Sequence, residues 1–335
     1  MSNRNTLPPD PARRHVARPL SSLPRPLKLA FHPGGEQQLS LAMEAWVASL
    51  LEEAGGRIDC KRTEPGNQPI LPSLSIGITG ETRIFYHFVP EGPEMPVFRE
   101  LLWEVAACGD SEGSAASGPG HGGALREMLL FVSTQCPNCP NAVRTVHSLA
   151  RRLPNLSVHI FEAMQHAELA KRHDIQSVPT LLIDPGLLYV GTLDQEKLFS
   201  LLRTEDPLSL LHERIRQKIR EGSATEAAEC IAEGGDPSFL AADLGRSTFQ
   251  ERIALLLTLE EALERDPRCL DRMVEPLLPH LDTKDASVRG DIADLLGKIG
   301  GQKALPALMK LLQDPDPNVV EAATEAVQTI AKEDP

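Results

Sequence analysis

The sequence predicts two small α/β domains in tandem, followed by an all-α domain of stacked helix pairs. Three observations carry this. Strand-length apolar runs alternate with amphipathic helical stretches twice over, in 27–108 and again in 124–204. Leu71-Pro72-Ser73-Leu74-Ser75-Ile76 lines up with Val178-Pro179-Thr180-Leu181-Leu182-Ile183, each placing a proline at the mouth of an apolar strand, where its missing N–H is tolerable. Strand signals stop at 205, and Asp285-Ala286-Ser287-Val288 returns 31 residues later as Asp316-Pro317-Asn318-Val319. At the same offset Ile292, Leu296 and Ile299 return as Ala323, Val327 and Ile330. Helix pairs at a fixed period cannot bury their apolar faces alone and stack into a solenoid.

Taken in order, residues 1–26 are rich in proline and arginine, lack periodicity and read as a disordered basic tail. A strand is expected over Leu27–Phe31, a helix over Leu41–Leu51, a strand around Arg57–Cys60, strands over Pro72–Ile76 and Ile84–Phe88, and a closing helix over Pro96–Ala107. Residues 109–123 are a glycine- and serine-rich flexible linker, expected to give the second domain some freedom from the first. The second domain repeats the order: a strand at 128–132, a helix at 141–153, a strand at 156–161, a short helix at 166–172, strands at Pro179–Ile183 and Leu188–Val190, and a last helix at 194–203. Helices then take over at Leu208–Arg220, Ala224–Glu233 and 237–244, with a looser copy of the later repeat from Phe249 to Leu281. From 206 to 335 there are 25 Asp and Glu against 15 Lys and Arg.

Length and charge bound the function. The chain has 335 residues, more than one compact domain usually holds, and a formal charge of −13. That charge disfavours bulk nucleic-acid binding. No apolar run is long enough to cross a bilayer and no secretory h-region opens the chain, so no membrane association is expected and the cytoplasm is the expected compartment. The six cysteines are Cys60, Cys108, Cys136, Cys139, Cys230 and Cys269, and four stand singly, a poor disulfide framework. Those four read as small buried hydrophobes.

The chemistry lies in Cys136-Pro137-Asn138-Cys139, between the strand at 128–132 and the helix after it. A helix start offers unpaired N–H groups and the positive end of the helix dipole, both of which favour a thiolate. Zinc would need a second pair or closely spaced histidines, and neither is present; a structural disulfide is the other alternative. A redox pair fits the strand, Cys-x-x-Cys, helix context and the strand proline that follows. Cys136, nearer the helix start, is expected to attack, and Cys139, one turn in, to resolve. Pro137 restricts the turn. Pro179 would be cis, with Val178 offering its backbone to an incoming peptide. His166 and His173 read as surface residues, and Glu162 would tune the sulfurs if it faced inward.

Phe131-Val132-Ser133-Thr134-Gln135-Cys136-Pro137-Asn138-Cys139-Pro140, with Ser177-Val178-Pro179-Thr180, resembles the thioredoxin superfamily. It resembles in particular the tandem-domain protein disulfide oxidoreductases and the N-terminal domain of the alkyl hydroperoxide reductase flavoprotein. The resemblance covers roughly 27–204 and implies tandem thioredoxin folds packed across one continuous sheet, the first without redox cysteines: His32-Pro33-Gly34-Gly35 stands where the second has its pair. Ile84 to Gly92 looks like the stretch of the first fold that ends in a Gly-Ile-Pro-x-Gly-type turn. The resemblance implies thiol–disulfide exchange with Cys136 and Cys139 catalytic and Pro137, Val178, Pro179 and Thr180 at the substrate. Two departures matter. Thioredoxin keeps a buried acid six residues before its nucleophile, where this chain has Leu130. No nucleotide-binding glycine loop follows, so no flavin or nicotinamide cofactor is expected and electrons must come from, or go to, a separate donor or acceptor. The C-terminal part is similar to short HEAT-like repeats, as in phycobilisome-lyase-type proteins, which implies a protein partner there. Two functions follow as expectations: a thiol-disulfide oxidoreductase acting on a protein substrate recruited partly by the repeats, or a binding adaptor in which the cysteine pair is a passenger or switch.

Overall fold

A computed structural model describes residues 18–63, 70–78, 82–108, 126–153, 155–183, 186–203 and 208–333. The chain divides into two units, Met1–Glu205 and Asp206–Pro335. In the first half of the first unit, β1 (Leu27–His32) leads into α1 (Gln37–Ala54), then β2 (Ile58–Arg62), β3 (Ser73–Gly77), β4 (Arg83–Tyr86) and α2 (Glu94–Cys108). The second half runs β5 (Arg126–Val132), α3 (Cys139–Arg152), β6 (Leu156–Glu162), α4 (Ala167–Arg172), β7 (Thr180–Ile183), β8 (Leu187–Val190) and α5 (Gln195–Arg203). These are two tandem thioredoxin-like folds.

They share one sheet of eight strands in the order β2-β1-β3-β4-β6-β5-β7-β8. Within each fold the first strand pairs parallel with the second and antiparallel with the third, and the third pairs antiparallel with the fourth. The folds join where β4 lies parallel to β6, Arg83 opposite Ser157 and Tyr86 opposite Ile160. Freedom between the folds, expected from the linker composition, is therefore not what β4 and β6 show: their ladder hydrogen bonds fix one fold on the other. The linker residues themselves lie outside the described stretches.

Side chains reinforce this seam. Tyr86 and His147 are hydrogen-bonded, Oη to Nε2, at 2.8 Å, both buried. Thr82 donates to the Leu153 carbonyl at 3.0 Å and accepts from the Leu156 N–H. A row of buried histidines crosses from β4 to β6. His87 Nδ1–H donates to the Pro72 carbonyl at 3.1 Å, which leaves Nε2 to accept from His159 Nδ1 at 2.9 Å, and His159 Nε2 accepts from Ser157 at 2.9 Å. Burial holds His87 well below the ordinary histidine value and His159 down to about 4, so both rings are neutral in this chain of bonds. His166, read from sequence as a surface residue, donates to the His87 carbonyl at 2.7 Å, and His173 is half-buried near the Phe131 ring.

Of the basic tail expected to be disordered over 1–26, residues 18–26 are described and include a short 3-10 turn at Leu20–Ser22, while residues 1–17 lie outside the described stretches. Leu20 and Leu23 are buried, which local composition hid: two leucines among prolines and serines give no period, yet they bury apolar surface beside α1.

The second unit is helical: α6 (Leu208–Arg220), α7 (Ala224–Ala232), α8 (Leu240–Arg246), α9 (Phe249–Arg265), α10 (Val274–Leu277), α11 (Ala286–Ile299), α12 (Leu305–Leu311) and α13 (Pro317–Glu333). The 31-residue repeat is visible at the caps: Asp285 accepts from the Ser287 N–H at 2.9 Å and Asp316 from the Asn318 N–H at 2.9 Å. Packing between α11 and α13 is so close that a Cβ on Gly297 would stand 2.7 Å from the Ala326 Cα. Arg289, nearly buried, grips Asp314 with two bonds of 2.7 and 2.8 Å.

Candidate active site

Strand β5 ends at Val132, and the chain turns through Ser133–Asn138 before α3 starts at Cys139. The Cys136 N–H donates to the Ser133 carbonyl at 3.0 Å, closing that turn. The helix takes in Cys139, two residues before its expected start at 141, and leaves Cys136 in the turn that precedes it. Cys136 precedes the first helical residue and Cys139 is that residue, with Pro140 in the first turn, where its fixed φ suits a helix start and its missing N–H costs nothing. The sulfurs nevertheless differ as expected: Cys139 is fully buried, while Cys136 is half-buried and directs its thiol at the Val178 carbonyl, 3.8 Å away. Asn138 makes no side-chain cap.

The Val178–Pro179 peptide is cis, as the sequence reading required. Val178 is half-buried, whereas Pro179 and Thr180 are buried, and the Thr180 hydroxyl donates to the Ser177 carbonyl at 2.7 Å. Thr180 thus shapes the loop from inside and does not present its hydroxyl outward. Pro137 and Asn138 are exposed beside Cys136. Met164, just beyond the end of β6, is 80% exposed.

The first fold repeats this geometry without the chemistry. Leu71–Pro72 is also cis. Where the second fold aims a sulfur at the carbonyl before its cis-proline, the first packs bare glycine there: a Cβ on Gly35 would stand 2.0 Å from the Leu71 oxygen. No side chain, and so no thiol, fits at that position. The first fold instead supplies the back wall of the redox site. Gly92, at φ +53°, lies against the Thr134 carbonyl of the cysteine loop, 3.1 Å from where its Cβ would be.

Two residues after Gly92 stands Glu94, which sequence reasoning missed. It opens α2, is fully buried, and neither carboxylate oxygen has a hydrogen-bond partner. Burial, with a smaller push from the charge of Glu162, raises its carboxyl from 4.5 to about 7. The Cys139 thiol is pushed far up, first by burial, then by its bond with Cys136, and in part by the charge of Glu94 itself. Glu94 is thus an unpartnered acid within electrostatic reach of the buried sulfur. Leu130, at the position that holds the acid in thioredoxin, is apolar and buried. The only local signal was a glutamate among prolines in Pro90-Glu91-Gly92-Pro93-Glu94, on the fold without cysteines. Glu162 does face inward, with Oε2 accepting from the Gln165 N–H at 2.8 Å.

The remaining described cysteines lie elsewhere. Cys60 sits within β2, Cys230 on α7 and Cys269 in the turn after α9; Cys230 is buried as expected, whereas Cys60 and Cys269 are half-buried. Burial raises Cys60 and Cys269 to about 11. Among the described residues no group of three or more histidine, cysteine or acidic side chains is placed to hold a metal ion, and no helix is long and apolar enough to cross a membrane.

A family model described as a thioredoxin domain matches residues 127–203. A thioredoxin of Methanocaldococcus jannaschii is 31% identical over 78 residues, which are 23% of this chain and 92% of that protein. The chain belongs to the thioredoxin family. A HEAT-repeat family model matches residues 274–335, in the helical unit. Among solved structures, an alkylhydroperoxide reductase from Enterococcus faecalis is similar at 18% identity and a TM-score of 0.45, over 58% of this chain and 99% of that one. A protein disulfide oxidoreductase from Aeropyrum pernix is similar at 17% identity and a TM-score of 0.43, over 59% of this chain and 93% of that one. Thioredoxin relationship and the Cys-x-x-Cys pair together assign this unit to thiol–disulfide redox chemistry.

Proposed function

We propose that the protein is a thiol-disulfide oxidoreductase in which Cys136 attacks, Cys139 resolves and Glu94 manages the proton. The observation that carries this reading is the asymmetry of the pair: Cys136 half-exposed beside the cis-proline loop, Cys139 buried within reach of an unpartnered carboxyl poised at about 7. In the reducing direction the Cys136 thiolate attacks one sulfur of a substrate disulfide. The substrate S–S bond breaks, its distal sulfur leaves as a thiolate, and a mixed disulfide forms on Cys136. Cys139 then gives its proton to the Glu94 carboxylate, directly or through one water, and attacks the Cys136 sulfur. The substrate leaves as its second thiolate, two electrons have passed to it, and Cys136–Cys139 is a disulfide. A separate dithiol restores the pair, and the oxidising direction is the same sequence reversed.

A carboxyl poised near neutrality suits this step. It is basic enough to accept the Cys139 proton and acidic enough to return it, the condition under which general acid–base catalysis is efficient. Val178 and Pro137 frame the exposed sulfur and would receive an extended protein segment, with Pro179 and Thr180 holding the loop and Met164 adding an apolar contact. The helical unit would bind a protein partner and bring it to the redox unit. The cytoplasm is the compartment in which a reducing cycle of this kind would run.

The test is a trapping experiment. With oxidised glutathione, Cys139→Ser should accumulate protein carrying one glutathionyl group on Cys136, the wild type should proceed to an internal disulfide, and Cys136→Ser should do neither. If the wild type forms no internal disulfide while the chain still captures a partner through its repeats, the protein is a binding adaptor.

A further inference from the structure

Thiol exchange through Cys136, Cys139 and Glu94 leaves a second buried carboxyl, Glu162, without a role. Glu162 ends β6 opposite Val132, the last residue of β5. Side chains alternate along a strand, so Glu162 shares a face with Ile160, whose register partner on β4 is Tyr86. Helices α2 and α3 cover that face: the Tyr86 ring meets Phe98 of α2 edge-on at 5.1 Å, and its hydroxyl is bonded to His147 of α3. Glu94 opens α2 one turn before Phe98, and Cys139 opens α3. Two carboxyls and the resolving sulfur thus converge on one sheet face, at the C-terminal ends of three parallel strands, and all three are buried.

The two carboxyls are held differently. Glu162 Oε2 accepts from the Gln165 N–H at 2.8 Å, a backbone bond that fixes the carboxylate in place. Glu94 has no partner on either oxygen. The other polar groups of this face are committed elsewhere: Tyr86 to His147, Arg144 to Glu100 and Arg151 to Glu104. Two like charges in a buried site are costly, so the proton settles on the carboxyl without a hydrogen bond, Glu94.

We propose that Glu162 is a positioning residue of the resolving step: its fixed charge holds the exchangeable proton on Glu94, beside Cys139, and makes Glu94 a base strong enough for that thiol. This rests on Glu94 being the base. Glu162 forms no bond to sulfur and acts on Cys139 through Glu94, whose charge the thiol feels. Burial and the Glu162 charge together bring Glu94 to about 7. The remaining titratable groups of this face keep one state around neutrality: burial holds Tyr86 well above the ordinary tyrosine value and His147 down to about 3.

The test is the reaction of the reduced full chain with an aromatic disulfide that releases one coloured thiolate on attack and a second on resolution, followed across pH. Glu162→Gln keeps an oxygen for the Gln165 N–H and removes only the charge. The inflection of its second phase should move from about 7 towards about 6. A weaker base is also a slower one, so that phase should be about threefold slower than wild type at pH 8. At pH 5.5, where more of Glu94 is now ionised, it should be faster, so the two profiles cross; lost packing would slow the step at every pH. Glu162→Asp keeps the charge and should keep the inflection near 7. In a Glu94→Gln background, Glu162→Gln should change nothing further. Circular dichroism and an unaltered first phase confirm that each variant is folded. An inflection that Glu162→Gln leaves in place, profiles that run parallel, or further slowing in the Glu94→Gln background overturns the proposal while the role of Glu94 stands. A Glu94→Gln protein that retains the inflection overturns both.

Discussion

Replacing Glu94 with glutamine separates proton handling from sulfur chemistry. The substitution keeps the shape of the side chain and removes its titration. Kinetically, an isosteric amide cannot accept the Cys139 proton, and loss of a positioned general base slows the step it serves by about 100-fold or more. Moving a buried carboxyl from 4.5 to about 7 corresponds to roughly 3 kcal/mol between its neutral and charged forms. The sign follows from linkage. A carboxyl whose value is raised by folding stabilises the native state below 4.5, and that contribution is lost as pH rises through about 7. Glutamine should therefore raise Tm at pH 8 and leave it little changed at pH 4. The assay is reaction of the reduced protein with an aromatic disulfide that releases a coloured thiolate. Attack by Cys136 releases the first equivalent, and resolution by Cys139 releases the second. Glu94→Gln should slow only the second phase and abolish its inflection near pH 7. Two unaltered phases, or slowing confined to the first, would refute the role of Glu94.

Other expectations concern the frame around the site. Acidification from pH 6.5 towards 4 should destabilise the first unit: His159 and His87 are held neutral by burial, so the unfolded chain binds more protons in that window and stability falls as pH falls. A phenylalanine at His159 should flatten that part of a Tm-against-pH profile. Gly297→Ala should lower the Tm of the helical unit by several degrees while leaving thiol exchange unchanged, because the new methyl meets the backbone of α13. Gly35→Cys should not give the first fold a working thiol; chemical denaturation should instead show it to be less stable than the wild type, since its Cβ has the Leu71 carbonyl in its place.

What the sequence made legible was periodic or duplicated. The strand prolines Pro72 and Pro179 marked matching strands in the two folds, and the Asp285 and Asp316 repeats marked helix caps. The cysteine pair announced its own chemistry through its context. What stayed hidden depends on contacts between segments far apart in the chain. Glu94 matters to Cys139 only because β4 pairs with β6 and α2 therefore begins beside the cysteine loop. The burial of Leu20 and Leu23, and the hydrogen bond that draws His166 inward, likewise come from tertiary neighbours and leave no local pattern.

The central claim is that Cys136 and Cys139 cycle together between dithiol and disulfide. Equilibrating the full chain in glutathione buffers of graded redox poise, then alkylating free thiols and locating the label by peptide mass, tests it most directly. Cys136 and Cys139 should lose their label in one two-electron transition, with Cys60, Cys230 and Cys269 labelled after unfolding at every poise. A pair that stays labelled even in the most oxidising buffer, or a transition that pairs either cysteine with another, would contradict the claim.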